Sequence, residues 1–228
     1  MNKLIAPVLV CIALSGCNHE NSNDEYSLQK LQSVDEGEVF SLDLTGVDAN
    51  ARNYSGSVRM VNDPEQELNG VMVTPKRFRL NITDEDLPTV FPLFQDSTLS
   101  LSSVYALDEN ALLLSIHKNT GDVCTNTSPD KLPDFVNPGD AGSLSPLQCL
   151  GDVTEYRDWE VSADGEDLAK LTITIIVKDL SDSILTTEVK GFILDKAGNI
   201  LGFEIETDIG SPTYHSRVNM YSQSLLSR

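Results

Sequence analysis

An alternation of apolar and polar residues with a period of two constrains this chain more than any other feature. Leu171, Ile173, Ile175 and Val177 fall on one face of an extended segment, while Lys170, Thr172, Thr174 and Lys178 mostly share the other. Successive side chains of a strand point to opposite faces, so such a segment buries one face against a core and wets the other. Ile184–Leu194 follows, then the turn residues Asp195, Lys196, Ala197, Gly198 and Asn199, then Ile200–Thr207 with Leu201, Phe203 and Ile205 in phase; Thr213–Tyr221 closes the series.

The same period governs the first half. Phe40, Leu42 and Leu44 alternate with Ser41, Asp43 and Thr45, and Tyr54–Val61 carries Val58 and Met60 in phase. Leu68–Leu80 is interrupted by Pro75, which lacks the N–H a ladder needs and must sit at an edge, a bulge or a break. Thr98–Leu107 and Leu112–His117 form a hairpin joined by Asp108, Glu109 and Asn110. No segment from Gly37 onward sustains a 3.6-residue apolar period, so the body is expected to be all-β, as an antiparallel sandwich or as two sandwich-like meander lobes. A faint echo between Phe40–Thr74 and Leu171–Thr207, each reading strand, turn, strand, turn, strand, motivates the two-lobe version.

The N-terminus has a different character. Lys3 precedes an apolar run, Leu4–Leu14, broken only by Pro7. The run is too short for a membrane span, which needs about 20 apolar residues, and has the layout of a secretory signal peptide. Its end, Leu14, Ser15, Gly16 and Cys17, resembles the lipobox of bacterial lipoproteins. The resemblance covers the first seventeen residues and implies cleavage before Cys17, acylation of that cysteine, palmitate included, and anchoring in a membrane. Asn18 is not the Asp associated with inner-membrane retention, so the outer membrane is the expected location, with the body facing either the periplasm or the outside.

On that reading Cys11 leaves with the signal and Cys17 carries lipid, so Cys124 and Cys149 remain as a pair in an oxidising compartment. A disulfide between them is expected. Residues 125–148 contain Pro129, Pro133, Pro138 and Pro146 with Gly139 and Gly142, and no run long enough for a strand, so a clamped loop is expected there. The organisation expected is a signal peptide (1–16), a flexible acidic tether (17–36) with a helical turn or two around Tyr26–Gln32, an N-terminal β lobe (37–118), the Pro/Gly-rich disulfide loop (119–151) and a C-terminal β-meander (152–228).

Thirty-five acidic residues against sixteen basic ones give a formal net charge of −19. Such a surface repels nucleic-acid phosphates, and no Lys/Arg run offsets it, so nucleic-acid binding is disfavoured. Lys76, Arg77 and Arg79 make the one local basic spot, in which Arg77 and Arg79 share a strand face and meet neighbouring acids more readily than an anionic partner.

No assembled catalytic motif stands out. Neither a G-x-S-x-G elbow nor H-E-x-x-H occurs, and of the three histidines His19 lies in the tether while His117, beside Ser115, and His215 fall on polar strand phases. The strict calcium loop is absent; Asp164, Glu166 and Asp167 around Gly165, and Asp195 with Asn199, are turn chemistry first. No catalytic residue, metal ligand or cofactor site is assigned. Val90, Phe91, Leu93 and Phe94, in the Pro-punctuated stretch Leu87–Phe94, together with the single tryptophan Trp159, are the candidate surface for a protein or carbohydrate partner.

The expected function is that of an outer-membrane-anchored, non-enzymatic binding or envelope-interaction module. The first alternative is a carboxylate-dependent periplasmic or surface hydrolase with Trp159 and nearby acids lining a cleft, since such chemistry needs two carboxyls ~5–9.5 Å apart. The second is an accessory factor for outer-membrane assembly that docks through Leu87–Phe94. Oligomeric state is not legible from the residues.

Overall fold

The computed structural model describes residues 25–85, 98–211 and 214–222. The signal segment, Cys17, and the stretch containing Val90, Phe91, Leu93 and Phe94 lie outside the described residues. In chain order the elements are β1 (Tyr26–Ser27), α1 (Gln29–Gln32), β2 (Gly37–Asp48), β3 (Asn53–Asn62), β4 (Gln66–Leu68), β5 (Val71–Asp84), β6 (Thr98–Leu107) and β7 (Leu113–Lys118). Then come β8 (Val123–Asn126), β9 (Phe135–Val136), β10 (Ala141–Cys149), β11 (Val153–Ala163), β12 (Leu168–Lys178), β13 (Ile184–Asp195), β14 (Ile200–Ser211) and β15 (Tyr214–Ser222).

The chain is all-β, but its strands do not divide into the two sheets of a sandwich or into two lobes. They close into one 12-strand antiparallel barrel. The reason lies in two pairings, the first of them between residues distant in sequence. β15 adds to β2, from Val218 opposite Asp48 to Ser222 opposite Leu44, which joins the C-terminal meander to the N-terminal one. β5 pairs with β3 on one edge, from Tyr54 opposite Asp84 to Asn62 opposite Lys76, and with β6 on the other. Every long strand thereby has both edges paired, and closure is the arrangement that leaves no open edge. Gly46 permits the first of these seams: a Cβ there would lie 2.1 Å from the Asn219 carbonyl oxygen.

Pro75 sits where β5 exchanges one partner for another. Val71–Val73 pair with β4, pairing with β3 begins at Lys76, and the Pro75 carbonyl between them accepts the Asp63 amide at 2.8 Å. The 125–148 stretch, expected to hold no strand, carries β10 and the end of β8 in the barrel wall. The alternation is hidden there because the β10–β11 register slips between Leu144 and Leu147, around Pro146. The expected disulfide is present, joining Cys124 to Cys149 at directly opposed positions of β8 and β10.

Inward-facing residues make the core. Phe40, Phe78, Phe192 and Phe203 pack with ring centroids 5.2 to 6.0 Å apart, in edge and tilted arrangements favoured by aromatic quadrupoles. Outward positions carry polar side chains such as Arg59, which donates to Glu38 at 2.7 Å on the exposed face of β2–β3, together with exposed apolar ones such as Val47, Tyr156, Leu185 and Leu201.

One end of the barrel is capped by the chain's own N-terminal stretch. β1 pairs with β9, Tyr26 opposite Val136, and the Leu28 amide donates to the Asp134 carbonyl at 2.8 Å. The helical turn expected near Tyr26–Gln32 is present as α1; Tyr26, Leu28 and Leu31 are buried, so the chain from Tyr26 onward belongs to the core. Gly198, at φ 78°, lies where a Cβ would be 2.5 Å from the Ser27 carbonyl oxygen, so a turn of the wall accepts the cap closely only because it has no side chain there. Asn62 fastens the far end of the cap, its Nδ2 donating to the carbonyls of Ser33 and Asp35 at 2.8 and 2.7 Å.

Candidate ligand chamber within the barrel

A barrel of this many strands is wider than its inward side chains fill, and space remains inside. A cavity of about 150 Å³ lies beneath the cap, between Leu31 and Leu132 on one side and Met60, Phe78, Ile173 and Phe192 of the wall on the other. A second, of about 200 Å³, lies further along the axis and reaches Leu101, Lys118 and Thr186. Phe78, Tyr105, Ile175 and Lys190 border both, so they form the partition between the two chambers.

The partition is polar at its centre. Lys190 Nζ lies 2.6 Å from Glu188 Oε1 on the same inward face of β13, donates to the Tyr105 hydroxyl at 3.4 Å, and sits 4.6 Å from the centroid of the Phe78 ring. Burial pulls the Lys190 ammonium toward deprotonation, but Glu188, Tyr105 and Glu155 outweigh it and hold the group above its ordinary value. Burial pushes Glu188 up, yet Lys190 and the Thr207 hydroxyl, which donates to it at 3.2 Å, hold the carboxyl below the usual range. In the second chamber Lys118 donates to Glu155 at 2.8 Å.

The upper chamber, the cavity beneath the cap, has a different balance from the second, lower one. Arg157 is buried; its Nη2 donates to the Ser145 carbonyl at 3.0 Å, while its Nε has no hydrogen-bond partner. Burial lowers the Arg157 pKa against the opposing pull of Glu155, Tyr105 and Asp130. Lys76 is buried as well, donates to the Leu31 carbonyl at 2.5 Å, and has no carboxylate within ion-pair distance among the described residues. Its burial brings the pKa down to about 8.

Trp159 does not join this site. Its indole lies over Gly142, with ring atoms 3.0 Å from where a Cβ would be, and packs half-buried against the main core, bordering a shallow outer depression with Asp158 and Glu160. Cys124 and Cys149 staple the wall beside Glu155. His117 accompanies Ser115, Nε2 to Oγ 3.2 Å. Of the basic spot, Arg77 pairs with Asp63, whereas Lys76 turns inward.

The chamber residues Lys76, Tyr105, Arg157, Glu188 and Lys190 escape sequence reasoning because a polar residue at an inward position looks like a lapse in the alternation. The one available signal is Glu155 and Arg157, which share the phase of Trp159 and Val161 on β11. Fold and site together define a hollow, capped β-barrel with charged groups buried in an apolar interior. No protein-family model, curated protein sequence or solved structure matches this chain.

Proposed function

We propose that the protein is an outer-membrane-anchored lipoprotein that acts as a non-enzymatic binding module, with the capped interior of its barrel as the chamber for a small apolar ligand. The observation that carries this reading is the cavity of about 150 Å³ between Leu31, Leu132, Phe78 and Phe192, since apolar cavities of about that size take up benzene-sized molecules. Surface ion pairs such as Arg59 with Glu38 and Lys170 with Glu204 support water on the outside of the wall, in contrast to the outward apolar band of a membrane-spanning barrel. The lipobox-like Leu14–Cys17 supports the anchor, and the cap that begins at Tyr26 holds the body within a short tether of it.

Toluene titrated into the purified full chain, followed by protein NMR, tests the chamber. Saturable shifts at Phe78, Phe192 and Leu132 are expected, and shifts confined to the outer surface would overturn it. Intact-protein mass spectrometry of membrane-extracted protein tests the anchor: residues 17–228 plus acyl chains are expected, and an unacylated mass would refute it.

A carboxylate-dependent hydrolase is the second reading, because Glu155 and Glu188 both border the lower chamber. It ranks second because Lys190 holds Glu188 ionised, the opposite of what a general acid requires.

A further inference from the structure

The wall of the upper chamber is not a strand ladder all the way round. β10 pairs with β11 from Ala141 to Cys149, but on its other edge β8 accompanies it only from Leu147 to Cys149 and ends at Asn126. Beyond Asn126 the chain crosses from β7 to β10 as a strap, residues 127–134. Pro129 and Pro133 lack the N–H a strand must donate, so the strap cannot extend β8. It is exposed except at Asp130, which is half-buried, and Leu132, which is buried, and both of these line the chamber.

The strap is fastened to its surroundings at its middle and at one end. The Leu113 amide donates to the Asp130 carbonyl at 3.2 Å and the Ser145 amide to Asp130 Oδ2 at 2.6 Å, so one residue ties the strap to both sides of the gap. From the cap, Gln32 Nε2 donates to the Pro133 carbonyl at 2.8 Å and the Leu28 amide to the Asp134 carbonyl at 2.8 Å. The Lys131–Asp134 pair lies within the strap and ties it to nothing.

These fastenings share a defect. Asp130 Oδ1 and Gln32 Oε1 are buried without a hydrogen-bond partner, as are Asn126 Nδ2, where the strap begins, and the Nε of Arg157, whose Nη2 holds the Ser145 carbonyl. A buried polar atom without a partner is costly, and it recovers that cost on reaching water. Outward movement of the strap therefore breaks bonds at Asp130 and Gln32 but hydrates the orphan oxygen of each. Elsewhere the wall is a continuous ladder, as from Leu168 to Lys178 of β12 against β13, and such a ladder opens at greater cost.

We infer that the strap is the door of the upper chamber, with Asp130 as its latch and Leu132 as its plug, and that a small apolar ligand enters there between β7 and β10. The inference rests on the reading of the barrel interior as a binding chamber, and separating the affinity of toluene from its rate of exchange tests the two independently. Both are measured by NMR on the full chain in wild type, Asp130→Ala, Asp130→Asn, Gln32→Met and Asp179→Ala. A door sets a barrier common to entry and exit, so its latch changes the rate and not the affinity.

Asp130→Ala is expected to raise the toluene dissociation rate at least tenfold with Kd changed less than threefold. Asp130→Asn keeps an oxygen for the Ser145 amide and should stay within threefold of wild type. Gln32→Met cuts the Pro133 fastening and should raise the rate at least threefold, which keeps the test decisive if Asp130→Ala does not fold. Asp179→Ala removes side-chain bonds of the same kind, to the Ser181 and Ser183 amides, at the β12–β13 turn, and should change neither quantity. Unchanged rates in Asp130→Ala and Gln32→Met, an equal rise in Asp179→Ala, or a Kd that rises as much as the rate would each overturn the door and leave the chamber standing. Failure of toluene to bind wild type would remove both.

Discussion

Lys118 and Glu155 form an ion pair at 2.8 Å between β7 and β11, two strands separated in the barrel by β8 and β10, which the Cys124–Cys149 bridge joins. The pair and the bridge thus span the same part of the wall. The Glu155 side chain is 2% exposed, so its charge has little water to fall back on if the ammonium is removed.

Lys118→Met is therefore expected to destabilise the barrel by about 2–4 kcal/mol, most of it the cost of stranding a buried carboxylate. The double variant Lys118→Met with Glu155→Met should recover most of that loss. Urea denaturation of the three proteins checks this; equal stability of wild type and the single variant would show that the pair contributes nothing.

Cys124→Ser is expected to remove about 3 kcal/mol through the loop the bridge closes, which for a chain of this size corresponds to a melting point lower by roughly 6–12 °C. Scanning calorimetry with and without reductant measures it. The variant should also make Cys149 reactive toward thiol reagents. Identical melting of oxidised and reduced protein would contradict the expectation.

Lys76 gives a pH dependence with a definite sign. Its folded pKa of about 8 lies below the ordinary 10.5, so between these values the unfolded chain binds a proton that the folded chain does not. Stability therefore rises with pH across that window, by roughly 3 kcal/mol in all, and the group is most destabilising below pH 8. Lys76→Met should be more stable than wild type at pH 7 and should flatten the rise between pH 8 and 10. Parallel stability profiles for the two proteins would rule this out.

Gly46→Ala tests the seam between β2 and β15. A Cβ at that position would meet the Asn219 carbonyl at 2.1 Å, so the strands must separate to admit it. The expected cost is about 1–3 kcal/mol, and amide exchange should quicken at Val47 and Asn219, which lie opposite each other across this seam, before it does at the β12–β13 pairing. Uniform acceleration around the barrel would mean that the seam is not where strain is released.

The sequence by itself determined the all-β character, the positions of most strands and the cysteine pair. Leu171 to Val177 alternate so regularly that one face had to be buried, and Cys124 and Cys149 were the cysteines left to each other on the reading in which Cys11 lies in a signal segment and Cys17 carries lipid. Strand alternation is local, a property of consecutive side chains on a pleated backbone, and it is readable wherever inward positions are apolar. It failed at β10, where the slip around Pro146 breaks the period, and at Tyr26–Gln32, whose few apolar residues match no period yet fill the barrel end. Only the tertiary structure decided between barrel and sandwich, because that choice rests on β15 finding β2 and β3 finding β5, pairings between residues whose sequences do not encode a partner. The chamber was decided there as well. Lys76, Arg157 and Lys190 sit on three different strands, and what brings them together is that closure turns all three toward one largely apolar space inside the barrel.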